Sequence, residues 1–591
     1  MSFILTCLRA NGAGFSNLLP APSKFQGLPT RAVFVFALGL LQPTSGSSEV
    51  ILDLQPDKSM QTAVLGDTTL DLININPKVN QWHLLRYRTA KNGTPMTLHL
   101  ELTDPSKTEI GLKENSVNGL TIKPRDEAKS PFKVCTLWES SPNEILDKVK
   151  GSERPFISLC AGAAYLRVPV AGARSTKESV VEFLRDNVWG GEKITTIVKE
   201  TIYKDQYLAT GVPVNGANSP ESQVRQDAPQ SAQVLESARQ ALLKTPDLGL
   251  SLKDNSTGEM HPGQWYESRL NPHVFVGVLS VEHLTPNVIE THQKRLGKLD
   301  QTESKALSYF VAFDLAKFDL RFALGTEHPR VDWSDRARSQ FRDKLDGGPD
   351  GISEIKPFVG SGMVRPDHAR RVLASFAGGF KRSHSAFKWG PLALKNQSSH
   401  YGFMEGGTIL SKLQPDLATI ALNVDGEVSI MTWRDQAPQT SLVFARQNGV
   451  PLVEWDENMQ KAVPGLFVSQ WAQGNWSGSA EGKQRTVRAG ACLQESEKGK
   501  FLIYGYFSSV TPAAMAASFL GFHCRGAIHL DMNALEHTYI AVYDRQEAAI
   551  LTEHLIKGME VLDRKINGVS VPRFVGFADN RDFFYLMEKQ P

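Results

Sequence analysis

Between Glu49 and Lys123 apolar and polar positions alternate in short bursts, VILDL, TTLDLINI, WHLLRY, MTLHLEL and GLTIKP, broken by Asn, Gly, Pro and Asp. A period of two with turn-forming breaks is the mark of half-buried antiparallel strands. Residues 49–130 are therefore expected to form a β-sandwich-like module. From Ser141 the pattern turns helical, where SPNE offers a cap, a proline at the first helical position and a glutamate three residues beyond the cap. A second capping box, Ser175 to Glu178, opens VVEFLRDNVW, with Val181, Leu184 and Val188 at helical spacing before Gly190 and Gly191. Residues 131–211 thus read as a small α/β segment. Over 212–272 Pro, Ser, Asn, Gln and Gly dominate around one helical stretch, SAQVLESARQALLK, which predicts a linker with a helical piece.

From 273 to 591 the apolar runs lengthen. HVFVGVLSV and YFVAFDL predict buried strands, and FDLRFALG alternates. The stretch from Gln484 to Tyr543 predicts strand, helix and strand: Arg485 and Thr486 open RTVRAG, FLIYGYF follows, and Thr511 with Pro512 starts a helix that Gly521 ends. The strand Ala527 to Leu530 then delivers Asp531 and Asn533 to its C-terminal end, where open sheets place reactive groups. PRFVGFADNRDFFYLM reads as a closing strand, with Arg581 and Asp582 as surface charges. The fold class expected is α+β, with a β-rich N-terminal module and a small α/β segment followed by a mixed-sheet domain.

Arg31 precedes a ten-residue apolar run, AVFVFALGLL, and the small-residue tail QPTSGSSE. That layout makes residues 1–48 a leader with an export signal, a buried apolar strand being the alternative, and the run is too short for a stable anchor. A secreted or periplasmic protein without a transmembrane anchor is expected. Composition agrees with a globular chain: 591 residues, 22% charged and 41% hydrophobic. A net charge of +2 gives no reason to expect nucleic acid. Beyond Cys7, the cysteines fall as one pair in each half, favouring Cys135 with Cys160 and Cys492 with Cys524, or else buried free thiols. Their spacing does not suggest zinc, P-loop, Rossmann and GxSxG signatures are absent, and neither metal nor cofactor is expected.

Candidate chemistry concentrates in the last part of the chain. In SFAGGFKRSHSAFKWGP, Gly378 and Gly379 precede Lys381, Arg382, His384 and Lys388. Paired glycines let a backbone approach a ligand, and neighbouring cations hold anions; the plainer reading is a tight turn with a solvated basic face. AGGF at 377–380, HYGFMEGGTIL at 400–410, LNVDGEVSI at 422–430, RTVRAG at 485–490 and AIHLDMN at 527–533 resemble, in order, the blocks of the phosphodiester glycosidase family. The resemblance covers roughly the last 300 residues. Ala377 stands where the family has Asn, and Met532, Asn533 and Ala534 where it has glycines.

The resemblance implies an exported hydrolase acting on a sugar phosphodiester or polysaccharide, or a catalytically inactive relative that binds a glycan or an envelope partner. A phosphate is a good leaving group, so charge clamping matters more than a strong acid. Arg485 is the expected clamp, with Thr486, Gly378, Gly379, Lys388 and Asn533 as further binding groups. Asp531 is the expected nucleophile or base, and His384, Glu405 and His529 the proton carriers. Alternation along IHLD places His529 and Asp531 on one face. Each has a structural alternative: a turn cap for Asp531, an ion pair for Arg485, a core histidine for His529 and a solvated turn residue for Glu405.

Overall fold

The structure is a computed structural model that describes residues 55, 57–90, 93–125, 133–175, 178–180, 205–214, 225–330, 333–334, 336–342, 355–434, 439–470, 485–546 and 549–590. The expected export signal, and the helix beyond residue 180, lie outside the described residues. Ser48–Pro591 is one compact unit.

The alternating bursts become strands. Thr68–Asn74, Trp82–Arg88, Met96–Leu102 and Gly119–Pro124 sit where the period of two placed them. Ser59–Leu65 pairs with the first of these, and the six-stranded sheet is completed by Ala164–Arg167 and Phe156–Leu159, from beyond residue 130. A three-stranded sheet of Thr108–Leu112, Gly119–Pro124 and Lys133–Thr136 covers one face. Leu72, Leu85 and Leu100 meet Ile110 and Leu120 in a common core, and a Cys135–Cys160 disulfide ties the two sheets. In the helix Asn143–Lys150, Glu144 reaches back to accept from the Ser141 amide at 3.1 Å, the predicted half of a capping box.

Eight strands form the central sheet of the C-terminal part, in the order Trp265–Glu267, Val274–Leu279, Ser308–Asp314, Gly499–Val510, Thr486–Ser496, Cys524–Met532, Val453–Asp456 and Lys461–Pro464. Every pairing is antiparallel. The rule for the ends of parallel strands therefore does not place the site here. The helix Pro512–Gly521 crosses from Gly499–Val510 to Cys524–Met532, two strands apart, and every one of its residues is buried. Its Met515 and Phe519 pack with Phe310 and Phe507 of the sheet. Thr511 does not cap it; its amide and hydroxyl instead donate to Glu303, at 3.1 and 2.5 Å. On the opposite side, Tyr309 and Tyr504 join Phe376, Phe584 and Leu586 of a five-stranded sheet in a larger core. A third C-terminal sheet carries Phe403–Glu405 and Thr408–Ser411.

The stretch read as a linker differs from expectation. Among its described residues only Glu236–Arg239 is helical, because Ala228, Ala232, Val234 and Leu243 are drawn into C-terminal cores. Its extended backbone pairs with the Gly263, Gly521 and His283 backbones, a tertiary gain that outweighs local helix propensity.

The N-terminal sandwich seats on the hairpin at Gly406 and Gly407. Asn76 Nδ2 donates to the Gly407 carbonyl at 2.9 Å, and Trp82 packs on Gly406. Both glycines have positive φ, +55° and +71°, and a Cβ on them would come within 2.9 Å of Trp82 and 2.6 Å of Val79.

Candidate functional site

Asp531 sits near the end of Cys524–Met532, where the ladder with Thr486–Ser496 slips. Gly490 faces His529 while Arg488 faces Met532, so Leu530 and Asp531 are set against the single residue Ala489. This bulge breaks the alternation assumed along IHLD. His529 stacks on Phe380 at 5.3 Å and turns Nε2 to an Arg488 guanidinium nitrogen at 3.2 Å. Burial, with Arg488 beside it, holds its imidazole well below the ordinary histidine value, so Nε2 is an acceptor.

Asp531 instead reaches Arg581. Its Oδ2 accepts from Arg581 Nη1 at 2.6 Å, and Oδ1 accepts from the Met532 amide at 2.8 Å. Arg581 Nη2 donates to Glu178 Oε1 at 2.8 Å, and Lys381 Nζ lies 2.6 Å from the same oxygen and 3.1 Å from Glu327. Arg174 and Asn580 also bind Glu327. Asp531, Arg581, Glu178, Lys381, Glu327 and Arg174 thus alternate in sign, three acids with three bases. Burial pushes the Asp531 carboxyl up, against the pull of His537 and Arg581. Glu178 goes the other way: burial opposes it, but Arg581 and Lys381 hold it well below the usual carboxylate range.

The paired glycines make room for protein. The Gly378 amide donates to the Asp582 carbonyl at 2.8 Å. Gly379, at φ +129°, leaves space that a Cβ would take from Asn448 Oδ1 at 2.9 Å. Asn448 accepts from the Phe380 amide at 3.1 Å and donates to the His529 and Leu530 carbonyls, fastening turn to strand. Beside them Asp582 accepts from His328 Nδ1 at 2.6 Å and from the Gly325 amide at 3.0 Å, with Arg446 Nε at 3.2 Å. The space left by Gly379, Lys381, Asn580 and Arg581 is about 10 Å³, the size of one water.

The remaining expected residues make other contacts. Arg485 is clasped by Asp205, at 3.3 and 3.0 Å, and by Asp300. Thr486 is wholly buried at the start of its strand. Lys388 Nζ lies 5.9 Å from the Trp389 ring centre. His384 closes the 3-10 turn Arg382–His384, its amide donating to the Lys381 carbonyl at 2.9 Å. Asn533 continues past the bulge at φ +81°, its amide on the Val487 carbonyl at 2.9 Å. Glu405 is not a solvated turn residue: it is 5% exposed and holds Arg167 through two bonds of 3.1 Å.

Arg581 and Asp582, read as surface charges, are 5% and 2% exposed. They are buried because Asp531, Glu178, His328 and Arg446 meet them from distant parts of the chain. Glu178, Glu327 and Asn448 carry no local signature of this role beyond the Ser175 box, in which Ser175 Oγ does accept from the Glu178 amide at 3.0 Å. Among the described residues no group of His, Cys, Asp and Glu is placed to hold a metal ion.

No family model and no curated protein matches the chain. Among solved structures it is similar to the crystal structure of the "Putative exported protein" of Burkholderia pseudomallei K96243, at 10% identity, over 48% of this chain and 74% of that one, with a TM-score of 0.18. A TM-score this low leaves fold and activity to be argued from the chain itself.

Proposed function

We propose that this chain is an exported, non-hydrolysing member of the phosphodiester-glycosidase fold that binds an envelope or secreted glycan. The observation that carries the reading is the cover over Asp531. Arg581, itself held by Glu178, occupies the carboxylate, which is left 4% exposed. The expected phosphate clamp, Arg485, is neutralised by two aspartates. Met532, Asn533 and Ala534 in place of glycines are in keeping with a site that no longer admits a substrate backbone.

The glycan enters from the order of the sequence blocks. Export is supported by the apolar run after Arg31 and by two disulfides, Cys135–Cys160 and Cys492–Cys524, bonds typical of oxidising compartments. No helix among the described residues is long and apolar enough to cross a membrane.

The test is hydrolysis of a panel of sugar-1-phosphodiesters by the folded chain and by Asp531→Asn. The expected result is no turnover by either. Turnover by the wild type that Asp531→Asn abolishes would restore the hydrolase reading.

A further inference from the structure

Where the N-terminal sandwich meets the C-terminal sheets, an open cleft of about 730 Å³ lies on the far side of Glu405. That is within the roughly 300–1,000 Å³ of small-ligand sites. Its floor is a buried ion-pair network. Glu101 accepts from Arg167 Nε at 2.9 Å and from Arg365 Nη1 at 2.9 Å; Arg167 continues to Glu405, and Arg365 to Asp367 at 2.5 Å. His368 links this floor to the wall, accepting from Arg365 on Nε2 at 2.9 Å and donating from Nδ1 to Tyr585 Oη at 2.8 Å. The floor is thus saturated with its own partners, two arginines with three carboxylates, and offers a rigid base.

The rim is different. Six lysines and arginines line it against two aspartates, a large local excess on a chain whose total formal charge is only +2. Arg371 and Lys589 donate to the backbone carbonyls of Glu588 and Leu315 and meet no carboxylate among the described residues. The other four rim cations have carboxylates at longer range: Lys78 is 3.5 Å from Asp57, Lys107 3.5 Å from Asp104, Arg321 3.6 Å from Asp319 and Arg125 3.9 Å from Glu109. Arg371 and Lys589, at a concave opening and without a carboxylate partner among the described residues, focus a positive potential into it.

The same walls decide between kinds of anion. The aromatic side chains at the cleft, Phe322, Phe444 and Tyr585, are at most 5% exposed, so no ring face is offered on which a base could stack. Gln81, Ser106, Asn423 and Gln590 add uncharged donors and acceptors at the opening. Donors and acceptors beside cations, without stacking faces, suit a ligand rich in hydroxyls that also carries acidic groups.

We propose that this cleft is a binding site for an acidic oligosaccharide, its carboxylates or sulfates held by Arg321, Arg371 and Lys589. The saccharide assignment rests on the glycan reading above; the anion site rests on the rim alone.

Isothermal titration of the full chain tests it, with hyaluronan and heparin tetrasaccharides as carboxylate and sulfate probes. Chitotetraose serves as the neutral probe, tetraglutamate as an acidic peptide and inorganic phosphate as a bare anion. At least one acidic tetrasaccharide should bind, which of the two naming the acidic group, and more weakly as ionic strength rises. Affinity should fall about tenfold or more in Arg371→Ala/Lys589→Ala. Arg525→Ala, outside the cleft lining, should leave it unchanged. Hydrogen exchange should slow on ligand binding in residues 365–371 and 585–590. Failure of both acidic saccharides to bind, equal binding of chitotetraose, or unchanged affinity in the folded double variant would overturn the proposal. Tetraglutamate or phosphate binding as tightly as the saccharides would overturn the saccharide assignment. Turnover of a sugar phosphodiester would sink the non-hydrolysing reading and leave the cleft result standing, so the two failures are distinguishable.

Discussion

Arg581 holds two carboxylates at once, Asp531 at 2.6 Å and Glu178 at 2.8 Å, and its loss would leave Asp531 buried without its cation and Glu178 with Lys381 alone. Arg581→Ala is expected to destabilise the chain by about 3–5 kcal/mol, measured by urea denaturation. Glu178 adds a dependence on pH. A carboxylate whose folded pKa is depressed stabilises the fold above its unfolded pKa, here near 4.5, and loses that contribution as pH falls through the folded value. Wild type should therefore melt above Glu178→Gln at pH 7, and the gap should close as melting curves are taken at successively lower pH below about 4.5. At this scale the sequence was least legible. ADNRDFF reads as an exposed charged turn because nothing within it reveals partners such as Glu178 and Asp531, far away in the chain. Gly378 and Gly379 did signal a close approach, but the approaching group is Asn448 and the Asp582 backbone.

Elements were far more legible, because period and burial are local. The four bursts from Thr68 to Pro124 became strands within one residue of their expected limits, although runs of consecutive buried residues in the first three show both faces covered. The helix expected over SAQVLESARQALLK shrank to Glu236–Arg239 for the opposite reason: Ala232 and Val234, ahead of that turn, serve a neighbouring core in extended form. Pro512–Gly521 is buried on every side, with Ala514, Ala516 and Ala517 fully enclosed between sheet and surrounding chain. Small side chains are what let it lie so close. Ala517→Leu should cost about 1–3 kcal/mol through overpacking, seen as a lowered midpoint with an unchanged denaturant slope.

At the scale of the molecule, Glu101 belongs to the N-terminal sheet while one of its arginine partners, Arg365, lies in the C-terminal part. Glu101→Gln would leave two buried guanidiniums, Arg167 and Arg365, short of a counter-charge, at about 3–5 kcal/mol. Because the pair spans both parts, calorimetry of the variant should show the N-terminal part melting ahead of the rest, where the wild type melts as one. The sequence divided the chain at 130, 211 and 272 by composition, and composition is blind to such bridges: the first sheet borrows Ala164–Arg167 and Phe156–Leu159, and residues 225–272 join the C-terminal cores.

The hairpin under Trp82 and Val79 has a further consequence. Its two missing side chains form a keyway cut to the relief of the sandwich, and any carbon added there would act as a wedge, jacking the halves apart and tearing the mouth between them. How the two halves are aimed at one another is thus written in Gly406 and Gly407, by what those residues lack. A foreign sandwich grafted in front of this hairpin would need the same indentation before it could sit at all.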